Sequence, residues 1–478
     1  MTQSDNSKVI IVGAGLAGSL LSLYLAKRGI ETVVYEARGD IRTEEMSAGR
    51  SINLALSDRG IAALREVGMD DFMLREAVPM YGRLIHAKDE SLGYLPYSGR
   101  KGEYINSISR GGLNAALIDE ADKYSESKFY FNKRCIGFDC KTGEAFFEDG
   151  LSGEKFAVKG ATVIGTDGAG SAIRRSMMAS PGSLPRFDYS QRFLEHGYKE
   201  LSIAPRSRFA GNVPDDLPDA EGEFLLRKNA LHIWARHKFM MIALPNFDGS
   251  YTCTLFLSFE GTDSFEAIDS GAWDGSGDPK SALNSFFESE FPDALRLMPE
   301  LVKEYFENPV GNLGTIKCFP WNVGGKALLL GDAAHAVVPF YGQGMNASFE
   351  DCRELDRLIG ELGDDWGAVF PALGDSRKKN ADAIADLANE NFFEMRDHVA
   401  DPVFRMKREL ETRLEATIPE YYSKYSLVTF REDIPYSEAQ RLGNLQDEFL
   451  MRICREARDV ESISLSGVYE RISKLGNS

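Results

Sequence analysis

The chain has 478 residues and a formal net charge of −18, from 55 Lys and Arg against 73 Asp and Glu. Its 43% hydrophobic and 27% charged content is typical of a soluble globular protein and excludes a disordered, collagen-like or disulfide-scaffold protein. The acidic balance argues against a nucleic-acid binder and against docking on anionic membranes. The length predicts about three domains.

The cysteine pattern and the hydropathy indicate a compartment. The six cysteines form no C-x-x-C pair, which argues against a zinc knuckle or a redox dithiol and fits a reducing cytoplasm. Residues 1–8 are polar and lead directly into a strand, so we expect no signal peptide. No apolar run approaches the ~18 residues that a membrane span needs. We therefore expect a cytoplasmic protein with no membrane span and no metal site.

The first elements form a strand–helix–strand pattern. Val9–Val12 is a short β-branched run that predicts a buried strand, and residues 19–28 have apolar side chains at helical spacing. Residues 31–35 predict a second strand, which is followed by Glu36. A unit of this length implies a parallel sheet.

A glycine motif joins the first strand to its helix. Gly13, Gly15 and Gly18 form G-x-G-x-x-G. In dinucleotide-binding folds these glycines permit a tight turn, a close approach of the pyrophosphate and close helix–strand packing, respectively. The helix N-terminus offers N–H groups to phosphate, and the Glu36 carboxylate can accept ribose hydroxyls. The motif predicts dinucleotide binding, although it does not separate NAD from FAD, and the glycines could serve only a tight turn.

The middle of the chain predicts a change from helices to antiparallel strands. Residues 107–124 predict a helix, and from about Gly197 a second, sheet-based domain is expected. Two acidic, turn-rich segments, 211–222 and 261–279, are expected to be surface loops. From residue 376 helical periodicity dominates, with breaks at Pro402, Pro419 and Pro435. The further strands are predicted at 129–131, 161–165, 230–234, 240–244, 251–256 and 327–330.

Two later motifs each follow a predicted strand. Residues 161–174 read A-T-V-I-G-T-D-G-A-G-S-A-I-R and place Asp167 at the strand end. Residues 328–346 read L-L-L-G-D-A-A-H-A-V-V-P-F-Y-G-Q-G-M-N and place Asp332 at a strand end, where it can accept a ribityl hydroxyl. Gly342 and Gly344 can present N–H groups to a flavin ring edge. Taken singly, Asp-Gly is commonly a turn and Asp332 could be a helix N-cap.

In this order the three motifs resemble those of the class A FAD-dependent aromatic hydroxylases, which have a fold like that of para-hydroxybenzoate hydroxylase. The resemblance implies FAD at the first motif. It also implies an α/β fold, with a Rossmann-like FAD-binding domain interleaved with an antiparallel-sheet substrate domain, and a C-terminal helical domain. We expect the FAD-binding domain at 1–75, 105–180 and 315–375, the substrate domain at 76–104 and 181–314, and the helical domain at 376–478.

Five longer strings resemble the kynurenine 3-monooxygenase family, and the resemblance runs over nearly the whole chain, from Val9 to about Leu465. The resemblance implies hydroxylation of L-kynurenine to 3-hydroxykynurenine with NADPH and O₂ through a flavin C4a-hydroperoxide, in tryptophan degradation and NAD biosynthesis. Eukaryotic members carry a C-terminal membrane anchor that this sequence lacks, so we expect a soluble form. The strings are G-R-S-I-N-L-A-L-S-D-R-G (49–60), H-G-Y-K-E-L (196–201), N-A-L-H-I-W (229–234), V-P-F-Y-G-Q-G-M-N (338–346) and Y-S-L-V-T-F (425–430).

The resemblance also implies roles for individual residues. Arg83 would pair with the substrate carboxylate, with Tyr97 and Tyr425 as hydroxyl partners. Asn391 and Glu394, i and i+3 on a predicted helix, would hold the amine and ketone end. The apolar ring wall would be Leu231, Met240, Ile242, Phe256, Pro339 and Phe340. The FAD-binding residues would be Gly13, Gly15, Leu16, Ala17, Gly18, Tyr35, Glu36, Arg38, Ala55, Arg110, Asp167, Asp332, Gly344, Met345 and Asn346.

The chemistry of a zwitterionic aromatic substrate agrees with this set, because arginine is the best bidentate partner for a carboxylate. Without the resemblance, Arg83 and Glu394 would be read as ordinary surface charges. We expect no essential acid or base, since the flavin carries the chemistry. His335 is expected to be structural, and Tyr341 is assigned no role.

Other functions remain open at this point. A related flavoenzyme, such as a flavin halogenase or an isoprenoid reductase, is one alternative, although the four tryptophans form no W-x-W of the halogenase type. A noncatalytic FAD-binding or redox-sensing protein is another. The C-terminal region either covers the pocket or mediates oligomerisation, and the pocket candidates inside it favour the first. The oligomeric state cannot be read from the sequence.

Overall fold

The computed structural model describes residues 2–4, 7–43, 53–180, 182, 184, 186–209, 213, 217, 220–395 and 401–475. The predicted loop at 211–222 lies mostly outside these residues, and the string at 49–60 lies partly outside them. In chain order the strands are β1 (Thr2–Ser4), β2 (Val9–Val12), β3 (Thr32–Tyr35), β4 (Asn53–Leu56), β5 (Val78–Met80), β6 (Gly82–His86), β7 (Leu92–Pro96), β8 (Ile105–Ser109), β9 (Ser127–Tyr130), β10 (Lys133–Asp139), β11 (Glu144–Asp149), β12 (Lys155–Lys159), β13 (Thr162–Gly165), β14 (Asp188–Ile203), β15 (Ala230–Ala235), β16 (Met240–Pro245), β17 (Tyr251–Ser258), β18 (Gly311–Phe319) and β19 (Ala327–Leu329).

The helices lie between and after these strands, with the longest of them in the last third of the chain. They are α1 (Leu16–Lys27), α2 (Asp58–Glu66), α3 (Asp70–Arg75), α4 (Arg110–Ala121), α5 (Ala172–Met178), α6 (Phe265–Asp269), α7 (Pro279–Glu290), α8 (Pro292–Leu295), α9 (Leu301–Glu307), α10 (Asp332–His335), α11 (Gly344–Leu362), α12 (Trp366–Phe393), α13 (Pro402–Thr417), α14 (Lys424–Thr429), α15 (Tyr436–Glu456) and α16 (Leu465–Leu475).

A five-stranded parallel sheet, in the order β19-β13-β2-β3-β9, forms the first half of the fold. The strands β19, β13, β2 and β3 are short and almost completely buried, as expected when both faces of a parallel sheet are covered, whereas the edge strand β9 is partly exposed. Val12 lies beside Tyr35 and Gly165 in register, so three of the strands end at one edge. The predicted strand–helix–strand unit is confirmed, and its carboxyl edge is where an open parallel sheet binds ligands.

A seven-stranded sheet, in the order β18-β14-β17-β16-β15-β6-β7, forms the second half. The predicted strands at 230–256 are confirmed as consecutive antiparallel neighbours. β6 joins them in parallel with β15 and places Arg83 beside Leu231. Because side chains alternate along a strand, Leu231 faces the cavity described below, whereas His232 and Trp234 face the other side of the sheet.

A buried polar cluster lies on that other side. The Nε2 of His232 is 2.9 Å from the Arg227 carbonyl oxygen, so it donates, and its Nδ1 then accepts from Nε2 of His86 at 2.9 Å. Nδ1 of His86 is 2.6 Å from Asp293, which also accepts from the Trp234 indole at 2.9 Å. Burial lowers the pKa of His232 to about 3, and the neighbouring His86 adds to this effect.

This cluster predicts a loss of stability in mild acid. The unfolded chain binds a proton at His232 near pH 6.5, whereas the folded chain does so only near pH 3. The stabilisation is therefore complete above about pH 6.5 and declines as the pH falls, by about 1.4 kcal/mol per pH unit for one proton. Urea unfolding of the wild type from pH 7 to 4.5 should show a steeper decline than that of a His232→Gln variant. Parallel pH dependences would contradict the assignment.

Two predicted elements are wrong in detail. The helix predicted at 107–124 begins only at Arg110, because residues 105–109 form β8, which pairs with β4 and β5. The Ser109 hydroxyl accepts from the Gly112 N–H and caps the shortened helix α4. The loop predicted at 261–279 contains α6, because Phe265 and Ile268 bury their side chains and the Ser264 hydroxyl caps the helix.

Helices dominate the C-terminal part, as predicted. Pro402 is the first residue of α13 and Pro435 precedes α15, positions where proline is compatible with a helix start. α12 begins at Trp366, so it runs through the predicted boundary at 375/376, and the domain limits stay a prediction. Among the described residues, none of the helices combines the length and the apolarity needed to cross a membrane.

Candidate active site

A large cavity of about 1020 Å³ is lined by residues from both sheets and from the C-terminal helices. Small-molecule sites typically measure roughly 300–1,000 Å³, so this one has room for a large ligand and part of a second. Its glycine-rich end lies at the carboxyl edge of the parallel sheet. Its other end is lined by aromatic and aliphatic side chains of the seven-stranded sheet.

The three glycines of the first motif occupy different environments. Gly13 has a φ of +104°, and a Cβ there would lie 2.7 Å from the Thr166 carbonyl oxygen. A Cβ at Gly18 would lie 2.0 Å from the Gly13 oxygen, whereas one at Gly15 would meet nothing within 4 Å. Gly15 therefore faces open space in the cavity. Among the described residues no side chain caps α1, so its first N–H groups remain available to a phosphate.

Glu36 is fixed at the end of β3. One carboxylate oxygen accepts from the Ala14 N–H at 2.8 Å, and the other accepts from the backbone and side chain of Arg38 at 3.0 and 2.9 Å. These bonds hold the carboxylate of Glu36, which is 7% exposed, at the cavity wall. There it can accept hydrogen bonds from ribose hydroxyls.

The two motif aspartates differ in their surroundings. Asp167 accepts from the N–H of Ala172, the first residue of α5, at 2.7 Å, while its second oxygen has no hydrogen-bond partner among the described residues. Burial raises the pKa of Asp167 although hydrogen bonds oppose it. Asp332 is exposed at the cavity, and Gly331, not Asp332, is the N-cap of α10. The reading of Asp332 as a cap is therefore wrong, and its carboxylate remains available to a ligand.

The glycine-rich turn before α11 completes this end. Gly344 and Met345 line the cavity at a helix N-terminus, which has no side-chain cap in the part of the chain that the structure describes. The Asn346 side chain instead donates to the carbonyls of Ala55 and Gly342 at 2.9 and 2.8 Å, so it shapes the turn from behind. Asn346 and Gly18 do not line the cavity. The remaining predicted residues do: Gly13, Gly15, Leu16, Ala17, Tyr35, Glu36, Arg38, Ala55, Arg110, Asp167, Asp332, Gly344 and Met345.

Together these groups fit an FAD. Open helix N-termini suit the pyrophosphate, carboxylates at strand ends suit the ribose and ribityl hydroxyls, and the turn at 342–344 can approach a flat ring. Sequence reasoning missed three cations that line the same end, Lys133, Arg134 and Arg175. They lie outside the recognised motifs, and only the pairing of β10 with its neighbours and the packing of α5 bring them to the cavity.

The other end centres on Arg83 and stacked tyrosine rings. The Arg83 guanidinium lies 5.6 Å from the Tyr97 ring centre and 5.0 Å from that of Tyr425. The rings of Tyr97 and Tyr425 stack at 5.1 Å, and Tyr341 stacks on Tyr425 at 5.6 Å. Arg83 Nε and the Tyr97 hydroxyl are buried, with no hydrogen-bond partner among the described residues.

Unsatisfied buried donors cost free energy unless a ligand satisfies them. A cation and a hydroxyl together suit an anionic group such as a carboxylate. Burial raises the pKa of Tyr97 well above its usual value, although the nearby Arg83 works against it. Tyr97 is therefore a neutral hydroxyl that can donate a hydrogen bond.

Five of the six residues predicted for the ring wall line the cavity, and their role toward a substrate stays a prediction. Leu231, Ile242, Phe256, Pro339 and Phe340 line the cavity, and the rings of Phe256 and Phe340 lie 4.9 Å apart. Met240 does not line it, because it packs completely buried beside Phe256. Alternation along β16 and β17 could have identified Leu244 and Thr254. The wall also includes Met80, Ile105, Tyr198, Leu244, Thr254, Leu313, Val338, Tyr341 and Met395.

Asn391, in the last turn of α12, and Glu394, its C-cap, face one cavity, but they do not line the large one. They lie in a small cavity of about 20 Å³ behind Tyr341 and Tyr425, together with Lys407. The Asn391 amide donates to the Phe340 carbonyl at 2.5 Å, which keeps it away from the large cavity. Tyr341 and Tyr425 line both cavities, so the two spaces adjoin.

His335 is structural, as expected. It is buried and its Nε2 contacts the carboxylate of Asp351, which also accepts from Arg377 Nε at 2.8 Å. Burial works to lower the pKa of His335, but Asp351 outweighs it and leaves that pKa raised. His335 does not line the cavity.

Comparison with known proteins agrees with this geometry. The family model described as "FAD binding domain" matches residues 6–188 and 315–371. A kynurenine 3-monooxygenase of Myxococcus xanthus is 44% identical over 473 residues, which cover 99% of this chain and 96% of the relative. A kynurenine 3-monooxygenase of Dictyostelium discoideum is 41% identical, with 99% of each chain covered.

Solved structures share the fold at lower identity. A tetrameric form of 2-methyl-3-hydroxypyridine-5-carboxylic acid oxygenase is 18% identical with a TM-score of 0.61, and the match covers 92% of this chain and 98% of that one. The p-nitrophenol 4-monooxygenase PnpA of Pseudomonas putida is 15% identical with a TM-score of 0.61, and 94% and 99% are covered. At this identity the likeness extends to the fold alone.

Proposed function

The chain belongs to the kynurenine 3-monooxygenases, a family of FAD-dependent monooxygenases, and we propose that it hydroxylates L-kynurenine beside the ring amino group with FAD, NADPH and O₂. The observation that carries the substrate assignment is the pair of buried, unsatisfied donors, Arg83 Nε and the Tyr97 hydroxyl, at the aromatic end of the cavity.

Arg83 binds the carboxylate of the substrate, and the hydroxyls of Tyr97 and Tyr425 add hydrogen bonds. The guanidinium already lies close to both rings, so the binding group needs little reorganisation. Burial raises the pKa of both tyrosines, which keeps them neutral donors. A neutral hydroxyl beside a cation complements a carboxylate without repelling it.

The apolar wall holds the aromatic ring of the substrate. Leu231, Ile242 and Phe256 from the sheet, with Pro339 and Phe340, form a face without charged groups. Phe340 precedes the glycine-rich turn at 342–344, so the ring-binding and flavin-binding segments are joined by a single residue. This continuity places the wall for the substrate ring next to the turn for the flavin ring, so the two rings can lie close together.

Asn391 and Glu394 bind the amine end of the substrate from the small cavity. Glu394 supplies the negative charge that an ammonium requires, although Lys407 and Arg408 in the same cavity partly offset it.

FAD, when bound, supplies the redox chemistry and the activation of oxygen. The residues of the chain bind and orient the two reactants, and none of the cavity side chains is assigned as an essential acid or base. The FAD-binding roles of the residues around Gly15, Glu36 and Asp332 are part of this proposal. The six cysteines are all unpaired thiols, which supports a reducing cytoplasmic location.

Consumption of NADPH by the FAD-loaded protein tests the proposal. L-Kynurenine should accelerate NADPH oxidation by tenfold or more and yield 3-hydroxykynurenine, because the substrate completes the cavity beside the flavin. L-Tryptophan and L-phenylalanine serve as controls that carry the same zwitterionic tail. Oxidation that is independent of kynurenine, with no hydroxylated product, would show that the proposed activity is wrong.

A further inference from the structure

Arg59 and Arg100, from distant parts of the chain, donate hydrogen bonds to backbone carbonyls at or near the two ends of α14, the helix that carries Tyr425. Arg59, on α2, is 1% exposed. Its guanidinium donates to the carbonyls of Val428 and Ile434 at 2.6 Å each and to that of Leu427 at 3.3 Å. The last carbonyls of a helix have no intrahelical donor, so a cation at this end satisfies them and complements the helix dipole.

Arg100 holds the chain that leads into α14. It donates to the carbonyls of Ile418, Pro419 and Tyr421, at 3.4 and 3.1 Å for the first two. Arg100 follows Tyr97 by three residues, so the same stretch of chain carries a cavity hydroxyl and this contact. Glu415 joins the two segments, because it accepts from the N–H groups of Gly99 and Ser423 at 3.0 and 2.8 Å.

Arg59 also connects α14 to the flavin end of the cavity. Its guanidinium donates to Glu350 of α11 at 2.6 Å, and α11 begins at the glycine-rich turn. Arg377 bridges Glu350 and Asp351 at 2.9 and 2.8 Å, which fixes that side of the helix. These groups are all buried, so the chain of ion pairs is shielded from solvent.

We propose that Arg59 and Arg100 are positioning residues for substrate binding, which clamp α14 so that Tyr425 is held against Arg83 and in register with the flavin-binding turn. Neither arginine lines the large cavity, so their effect passes through the backbone of α14. The inference rests on the proposed role of Tyr425 in binding the substrate. Arginine is suited to holding this backbone because its planar guanidinium group donates to several carbonyls at once. A lysine ammonium cannot do this in the same geometry.

Arg59→Lys and Arg100→Lys test the clamp in the FAD-loaded enzyme. Lysine keeps the charge beside Glu350 and Glu415 but loses most of the carbonyl contacts. Each variant should raise the KM for L-kynurenine tenfold or more, while kcat and bound FAD stay within twofold of the wild type. Arg236→Lys is the matched control, because the buried Arg236 also donates to carbonyls, those of Glu290 and His86, on the far side of the sheet. Its KM should stay within twofold.

A Tyr425→Phe background separates positioning from general destabilisation. If the clamp acts through the Tyr425 hydroxyl, adding Arg59→Lys or Arg100→Lys to Tyr425→Phe should change KM by less than twofold. An unchanged KM in both single variants, an equal rise in Arg236→Lys, or fully additive effects with Tyr425→Phe would each overturn the proposal. If the Arg59→Lys variant does not fold, the KM of the Arg100→Lys variant provides the test, because Arg100 is less buried than Arg59. Absence of L-kynurenine binding by the wild-type protein would instead overturn the proposed function. This binding is measured before any variant is made.

Discussion

An Arg83→Met variant is expected to bind L-kynurenine about 100-fold more weakly than the wild type while retaining its FAD. Removing one partner of a buried, charge-assisted contact costs about 2–5 kcal/mol, and each 1.4 kcal/mol is tenfold in affinity. Methionine keeps an unbranched side chain of similar reach, so the packing against Tyr97 and Tyr425 is largely preserved. The effect should appear in a titration of the flavin absorbance with L-kynurenine.

Arg227→Met is a suitable control for this variant. Arg227 precedes the strand that carries Leu231, and its guanidinium lies 5.5 Å from the ring centre of Tyr94, outside the cavity. The control thus removes an arginine from above a tyrosine ring without touching the proposed carboxylate site. Kynurenine affinity within threefold of the wild type in Arg83→Met, or an equal loss in both variants, would refute the role of Arg83.

A Gly15→Val variant is expected to fold but to lose at least 100-fold in FAD affinity. A Cβ at Gly15 meets none of the described residues within 4 Å, so the folded chain accommodates a side chain there. That side chain occupies the space at the α1 N-terminus that a pyrophosphate must enter. The thermal midpoint of the FAD-free protein should stay near that of the wild type, while the bound flavin after purification falls to a trace.

Gly93→Val provides the comparison for this substitution. Gly93 lies on the edge strand β7, and a Cβ there also meets nothing within 4 Å. Its FAD content should match that of the wild type. Normal FAD binding by Gly15→Val would mean that the pyrophosphate does not lie at the first glycine motif. Loss of folding in Gly15→Val would contradict the open space seen at this position.

The flavin end of the cavity could be predicted from the sequence because its determinants are local. Gly13, Gly15 and Glu36 lie within one strand–helix–strand unit, and the geometry of that unit fixes where their backbone and side chains point. Asp332 follows a short buried strand for the same reason. The residue types of these motifs are enough to predict the core of the flavin end, whereas Lys133, Arg134 and Arg175 reach it only through longer-range packing.

The substrate end depends on contacts between distant segments, and the sequence predicted it less well. Met240 has the right chemistry and the right strand, but Phe256 beside it takes the cavity position. Asn391 has the right helix face, yet its amide bonds to the Phe340 carbonyl, which no local pattern indicates. The start of α4 was misplaced because Ser107 is recruited into β8 by its neighbours β4 and β5. The resemblance to a family names candidate site residues. The packing of distant segments then decides which of these side chains face the cavity.

The most direct measurement compares L-kynurenine with its decarboxylated analogue on the wild type and on Arg83→Met. In the wild type the analogue should bind about 100-fold more weakly, because it leaves Arg83 Nε and the Tyr97 hydroxyl unsatisfied. In Arg83→Met the two ligands should bind within about threefold of each other, since the group that distinguishes them is gone. A discrimination in Arg83→Met as large as that in the wild type would show that the carboxylate is bound elsewhere, and would contradict the assignment of this end of the cavity.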